Sequence, residues 1–325
     1  MNNYSFFLKI IKYICASLKQ ANTSSILLSN KGQVKVTTKY MGLEDQVLSK
    51  NSFNYSAMIC STVVMFLNLA CGAQMYQASL EEDHDKAKVP TYAKNPDSQY
   101  YGLHATDGWQ NLPIPFKTGM TLNDDQKKGL QECISMWETA VGKKLFQYLG
   151  PDNKDGDSFN DLYSSLSDTT NGHYLDTDWD KTGKSNMVLA TTIWDTSSRN
   201  QDQILTADIR FNTQHYVIGD SFTIIPEAND PREVVDMTTL CLHELGHMLG
   251  LTHVDKKYDR LSIMNPTIYI GEGLANRNLS CGDVKRIQQI YGCAGEACDQ
   301  EATCEKFEQG LLAEEEDDSD YPEDE

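Results

Sequence analysis

The chain has 325 residues, with 28 Lys and Arg against 47 Asp and Glu, for a net charge of −19. That sign disfavours nucleic acid as a partner, because a phosphate backbone is bound through an excess of basic side chains. The length would accommodate two domains, yet regular apolar patterning is confined to the middle of the chain, so one folded domain is expected over 109–292.

Residues 1–56 read as a leader or a mis-assigned start, and they include the apolar, lysine-bearing piece "SFFLKIIKYICAS". Segment 57–73 contains the 14-residue apolar run "AMICSTVVMFLNLA". It falls short of the roughly 20 residues a membrane helix needs and has the length of a signal-peptide core. Ala70-Cys71-Gly72 resembles a lipobox, although Asn68 stands where an aliphatic residue is usual. Cys71 is therefore a lipidation candidate, and export to the cell envelope or the exterior, with possible membrane attachment, is expected. Residues 74–108, with "EEDHDKAK" and His84, read as a linker.

Within the folded part, Leu130, Ile134, Trp137 and Val141 fall on one helical face. Residues 151–180 are rich in Asp, Asn and Gly. With Gly156 as the sixth residue of an EF-hand loop, Pro151 and Leu162 would occupy ligand positions, so that pattern fails; a looser calcium site on this polar insert stays open. His104, His173 and His215 lack a partner at metal-ligand spacing and are assigned to structure or surface.

The string "CLHELGHMLGLTH" (241–253) carries the chemistry. Asp230-Pro231-Arg232-Glu233 upstream has the form of a capped helix start. Val234, Val235, Leu240, Leu242, Leu245, Met248 and Leu249 supply more apolar surface than one stripe needs, which predicts a helix through the core. On it, His243 and His247 lie one turn apart and point the same way. Gly250 provides the left-handed stop. The turn can then swing His253 back, giving three neutral nitrogens around a tetrahedral Zn2+ and leaving a fourth position for water. Glu244 is rotated about 100° from His243, which suits a base acting on that water rather than a fourth ligand. A buried helix with incidental histidines is the alternative, and the number of matched positions argues against it.

Farther on, Ser280 to Gly292 reads as a capped closing helix ending in glycine. Six cysteines lie in the exported part: Cys133, Cys241, Cys281, Cys293, Cys298 and Cys304. An even number in an oxidising compartment favours disulfides. Cys281 and Cys293 are held about 18 Å apart by the helix between them and cannot pair together. Pairing of either with Cys298 or Cys304 would staple a small appendage, 293–309, to the domain. Cys133 and Cys241 sit on apolar helix faces and are equally well read as reduced core residues. The last sixteen residues hold nine acids and no base; such a block repels itself and should be disordered over 310–325.

The string from His243 to His253 resembles the extended zinc motif of the metzincin peptidases, and Ser262-Ile263-Met264-Asn265-Pro266 resembles their Met-turn, with Met264 below the metal. The likeness is nearest the matrixin-like branch. Pro113 to Phe116 and a helix from about Asn123 to Val141 look like its first strand and helix. "NMVLATTIW" (186–194) and "ADIRFN" (207–212) look like the strand pair before the zinc helix. The resemblance covers about Leu112 to Gly292 and implies an α+β catalytic domain: a twisted, mixed five-stranded sheet, a zinc-binding active-site helix and a C-terminal closing helix. It further implies a zinc metalloendopeptidase acting on protein or peptide substrates, with Glu244 as general base. An extended substrate would join the edge strand around Leu189 and Ala190, and Ile268 and Tyr269, in "TIYIGEGLANRN", would line the pocket beside the metal. Three departures stand out: Pro266 stands two residues after Met264 where astacins and serralysins carry a tyrosine, residue 254 is Val, and no Pro-Arg-Cys-Gly latency motif is present. A surface-anchored binding or adhesion protein with a vestigial metal site is the rival of another class, against which the intact Glu244 argues. A metallo-amidase acting on non-protein amides would share all of the chemistry.

Overall fold

The computed structural model describes residues 24–28, 34–38, 76–79 and 89–317, apart from 121 and 228. The apolar run 57–70 and Cys71 lie outside the described residues. The chain divides into two compact units, Met1–Gln74 and Met75–Glu325. In the first, β1 (Ser24–Leu28) pairs antiparallel with β2 (Val34–Thr38).

The second unit is built on a mixed sheet. Its strands are β4 (Gly108–Trp109), β5 (Ile114–Thr118), β6 (Phe146–Pro151), β7 (Gly172–Asp176), β8 (Ala190–Ser197) and β9 (Asn200–Asn212). The order is β4-β9-β7-β5-β6, with β8 added on β9. All neighbours are parallel except β8 and β9, whose hairpin is closed by Ser198-Arg199. The five expected strands are thus present, with the two-residue β4 as a sixth. β7 is buried at every position, as a parallel strand covered on both faces must be.

Helix α1 (Asp124–Val141) begins where Asn123 and Gln126 form a reciprocal capping box and stops at Gly142 in the left-handed region. It packs against α2 (Met237–Met248), every residue of which is buried. Cys133 and Cys241 meet across this contact as a disulfide, so they are not the reduced core residues that their apolar faces equally allowed.

The start of α2 corrects the sequence reading. Glu233–Asp236 is strand β11, parallel to β10 (Tyr216–Gly219), and the cap is Asp236, whose carboxylate accepts from Thr239 N. The β-branched pair Val234-Val235 extends beside β10 and delays the helix, while Asp230 turns back onto Arg232 instead.

The linker expected over 74–108 is only partly one. Tyr76–Ser79 (β3) pairs antiparallel with Thr267–Ile270 (β12). Ala93, Leu103 and Ala105 are fully buried, and Leu103 bridges to Leu251, so the chain joins the core well before β4.

After the Ser280–Asp283 capping box, α3 (Cys281–Tyr291) ends at Gly292. Disulfides Cys281–Cys304 and Cys293–Cys298 then fasten the following segment, within the pairings expected. Helix α4 spans Gln300–Asp317, so the acidic stretch predicted to be unstructured from 310 is helical through Asp317; its run of Glu retains good helix propensity despite like-charge repulsion.

The polar insert is held by one buried cation. Arg210, 1% exposed, donates to Gly156 O at 2.9 Å, Asp161 O at 3.0 Å and Asp176 Oδ2 at 2.5 Å. This guanidinium ties Gly156, Asp161 and Asp176 of the insert to β9.

Candidate metal centre

His243 and His247 project from the same face of α2, and Gly250 brings His253 to meet them. Gly250 has φ +104°, and a Cβ there would lie 2.8 Å from Ala105 O, so both backbone angle and close approach require glycine. Among the described residues, this trio is the one group of three or more His, Cys, Asp or Glu whose ligand atoms gather within 4.8 Å of one another.

Ring orientation is set by backbone carbonyls. His243 Nδ1 lies 2.7 Å from Ile263 O, and His247 Nδ1 lies 2.9 Å from Leu251 O. A carbonyl only accepts, so each Nδ1 carries the hydrogen and each neutral ring presents a bare Nε2. Those Nε2 atoms face one another: His243 to His247 at 2.9 Å, His243 to His253 at 3.1 Å. Lone pairs so placed repel unless a cation sits between them. Four-coordinate zinc with bonds of 2.0–2.1 Å would separate two ligand nitrogens by about 3.3 Å, close to what is seen. The donor set therefore fits zinc.

Several contacts fix the end of α2. Trp137 Nε1 donates to Leu242 O at 3.1 Å, His104 Nε2 to His247 O at 2.8 Å, Trp109 Nε1 to Met248 O at 2.7 Å, and Tyr291 OH to Leu249 O at 2.8 Å. Carbonyls at a helix end lack intrahelical donors, and here His104, Trp109 and Tyr291 supply them, while Trp137 adds a second donor to Leu242 O in the middle of the helix. His104 also stacks on Trp194, centroids 4.1 Å apart. No local sequence signal marks these residues, because each partner lies at least 42 positions away.

The Met-turn packs underneath. Met264 is fully buried, and its sulfur stands where a Cβ on Gly246 would be, which explains the glycine inside the histidine motif. Asp283 holds the turn from α3: it accepts from Ser262 Oγ at 2.5 Å, Ile263 N at 2.8 Å, Ser280 N at 3.0 Å and Arg286 Nη1 at 2.9 Å. The sequence marks Asp283 only as part of a helix cap. Its further lone pairs connect α3 through Ile263 to the His243 ring.

Glu244 is 1% exposed and is not one of the residues whose ligand atoms gather at the centre. Its Oε2 accepts from Thr192 Oγ1 at 2.6 Å. Leu189 and Ala190 are fully buried, so any part they play in binding falls to the backbone. Strand β8, to which Ala190 belongs, pairs with β9 alone among the described strands. Ile268 is buried and Tyr269 is 37% exposed, with Lys256 Nζ 5.2 Å from the centre of the tyrosine ring. Of the remaining histidines, His104 and His173 are buried in the fold, and His215 contacts Asp180 at 3.3 Å.

The family profile for matrixins matches residues 120–292, more than half of the chain. Matrilysin of Felis catus is 41% identical over 58 residues, 18% of this chain and 21% of that protein. The aligned part thus spans about a fifth of the relative's length. With the motif, the fold and the converging histidines in place, the family match assigns the chain: it belongs to the matrixins, a family of zinc peptidases.

Proposed function

We propose that this chain is a zinc-dependent endopeptidase in which His243, His247 and His253 hold the metal and Glu244 is the general base. The observation that carries the reading is the set of Nε2 atoms aimed at a common point, with two tautomers set by Ile263 O and Leu251 O. A bound zinc ion supplies Lewis acidity, enough to bring the pKa of water to about 7. The protein does the rest. Glu244 takes the proton of the attacking water and passes it to the departing amine, and its burial strengthens that exchange by excluding bulk solvent.

Among the described strands β8 pairs on one side alone, and an extended peptide would bind along its other side as an added strand and so with little demand on sequence. Ile268 and Tyr269, on β12, are the candidates for the pocket wall. The disulfides among the described residues support an oxidising location, in line with export through segment 57–73 and with Cys71 as its anchor.

The test uses the purified full chain and an unfolded protein as substrate. Cleavage should stop with a chelator and return with zinc, and Glu244→Ala should lose about 10³-fold or more in kcat with zinc content unchanged. Cleavage that persists in Glu244→Ala would overturn the mechanism.

A further inference from the structure

A buried hydroxyl stands against the base. Thr192, on β8, is 2% exposed, and its Oγ1 lies 2.6 Å from Glu244 Oε2 and 3.1 Å from Glu244 O. The two residues are 52 positions apart. One hydroxyl thus touches both the carboxylate and the main chain of the same glutamate, clipping the end of that side chain to its own helix. We infer that Thr192 is the positioning residue for Glu244, an inference that rests on Glu244 being the base.

The physical case is geometric. A glutamate has three rotatable side-chain bonds, and holding them in one arrangement costs rotamer freedom. A base must lie within about 2.6–3.2 Å of the proton it takes, and a misplacement of about 1 Å can cost 100-fold. A hydroxyl-to-carboxylate bond of 2.6 Å is in the short, charge-assisted range. It comes from β8, which α2 packs against and whose Thr192 is held in register opposite Ile209 of β9. The clip is therefore mounted on the sheet that would also bind substrate, so one strand sets the spacing between the base and the scissile bond. Strand alternation explains why residue 192 is the one: it turns toward α2, while Thr191 turns to the other face and its buried Oγ1 meets no hydrogen-bond partner.

The isosteric Thr192→Val removes the hydroxyl and keeps the volume; Thr192→Ser keeps the hydroxyl. In the full-chain, zinc-loaded protein, Thr192→Val should lower kcat about 10- to 100-fold with KM and zinc content near wild type, and Thr192→Ser should restore most of kcat. A second measurement is independent of turnover. In the metal-free protein, the melting-temperature changes of Thr192→Val and Glu244→Ala should be non-additive in a double-mutant cycle, because each removes the same bond. Additive changes, or a Thr192→Val enzyme with wild-type kcat, would overturn the inference while leaving Glu244 as the base. If Glu244→Ala still cleaves, the functional reading itself fails. If Thr192→Val melts early and loses zinc, and Thr192→Ser does not recover kcat, the hydroxyl has a structural role only and the inference fails.

Discussion

Replacing Asp283 by Ala tests the path from the closing helix to the metal centre. The carboxylate is fully buried and accepts four hydrogen bonds, from Ser262, Ile263, Ser280 and Arg286. Removing one partner of a buried ion pair typically costs about 3–5 kcal/mol. Arg286 retains Asp259 at 2.7 Å, so part of its charge stays compensated and a value near the low end, about 3 kcal/mol, is expected. The loss also frees the amide of Ile263, whose carbonyl orients His243. Loss of a contact that orients a metal ligand typically costs about 10- to 100-fold in affinity. Here the deleted group acts one bond farther out, so about tenfold weaker zinc binding is expected. Urea unfolding of the metal-free protein reads the first quantity, and competition with a chromophoric chelator reads the second. Reduced stability with unchanged zinc affinity would refute the claim that the Met-turn sets the His243 ring.

Two buried groups predict the pH profile of stability. Burial raises the Asp208 carboxyl to about 7, so the folded state holds a proton that the unfolded chain releases near 4, and stability falls as pH rises from about 4 to 7. Asp208→Asn should therefore be more stable than wild type at pH 8, by up to about 4 kcal/mol, and nearly equal to it at pH 4. Burial lowers His173 to about 3, so stability is lost as pH falls from about 6.5 to 3, and His173→Phe should gain about 2 kcal/mol over wild type at pH 5; thermal melts from pH 4 to 8 check both, and parallel profiles for variant and wild type would contradict them. Arg210→Met should lose about 3 kcal/mol or more, by leaving Asp176 without its ion-pair partner; equal melting temperatures for the variant and the wild type would contradict it.

Much of the centre is legible along the chain because its signals are local. Two histidines one turn apart, a glycine stop and a third histidine specify a geometry within thirteen residues, and α2 delivers it. The closing helix is equally plain, since Ser280, Asp283 and Gly292 are cap residues at fixed offsets. What eluded the sequence is non-local. The helix start was misplaced because Asp230-Pro231 has the form of a cap while the pairing of Val234-Val235 with β10 is decided by tertiary context. The Cys133–Cys241 bond depends on how α1 crosses α2, which two apolar stripes do not reveal. The same holds for Thr192, Asp283 and the aromatic donors around α2: each is an ordinary residue in its own segment and gains its role only when the sheet, the two helices and the Met-turn converge.

The central claim is that three imidazoles bind one zinc ion and leave it a solvent ligand. Zinc-edge X-ray absorption on the purified full chain tests it most directly. The expected result is one zinc per chain, with three nitrogen neighbours at about 2.0–2.1 Å and one oxygen. A zinc shell containing sulfur, four protein nitrogens with no oxygen, or no stoichiometric zinc at all would contradict it.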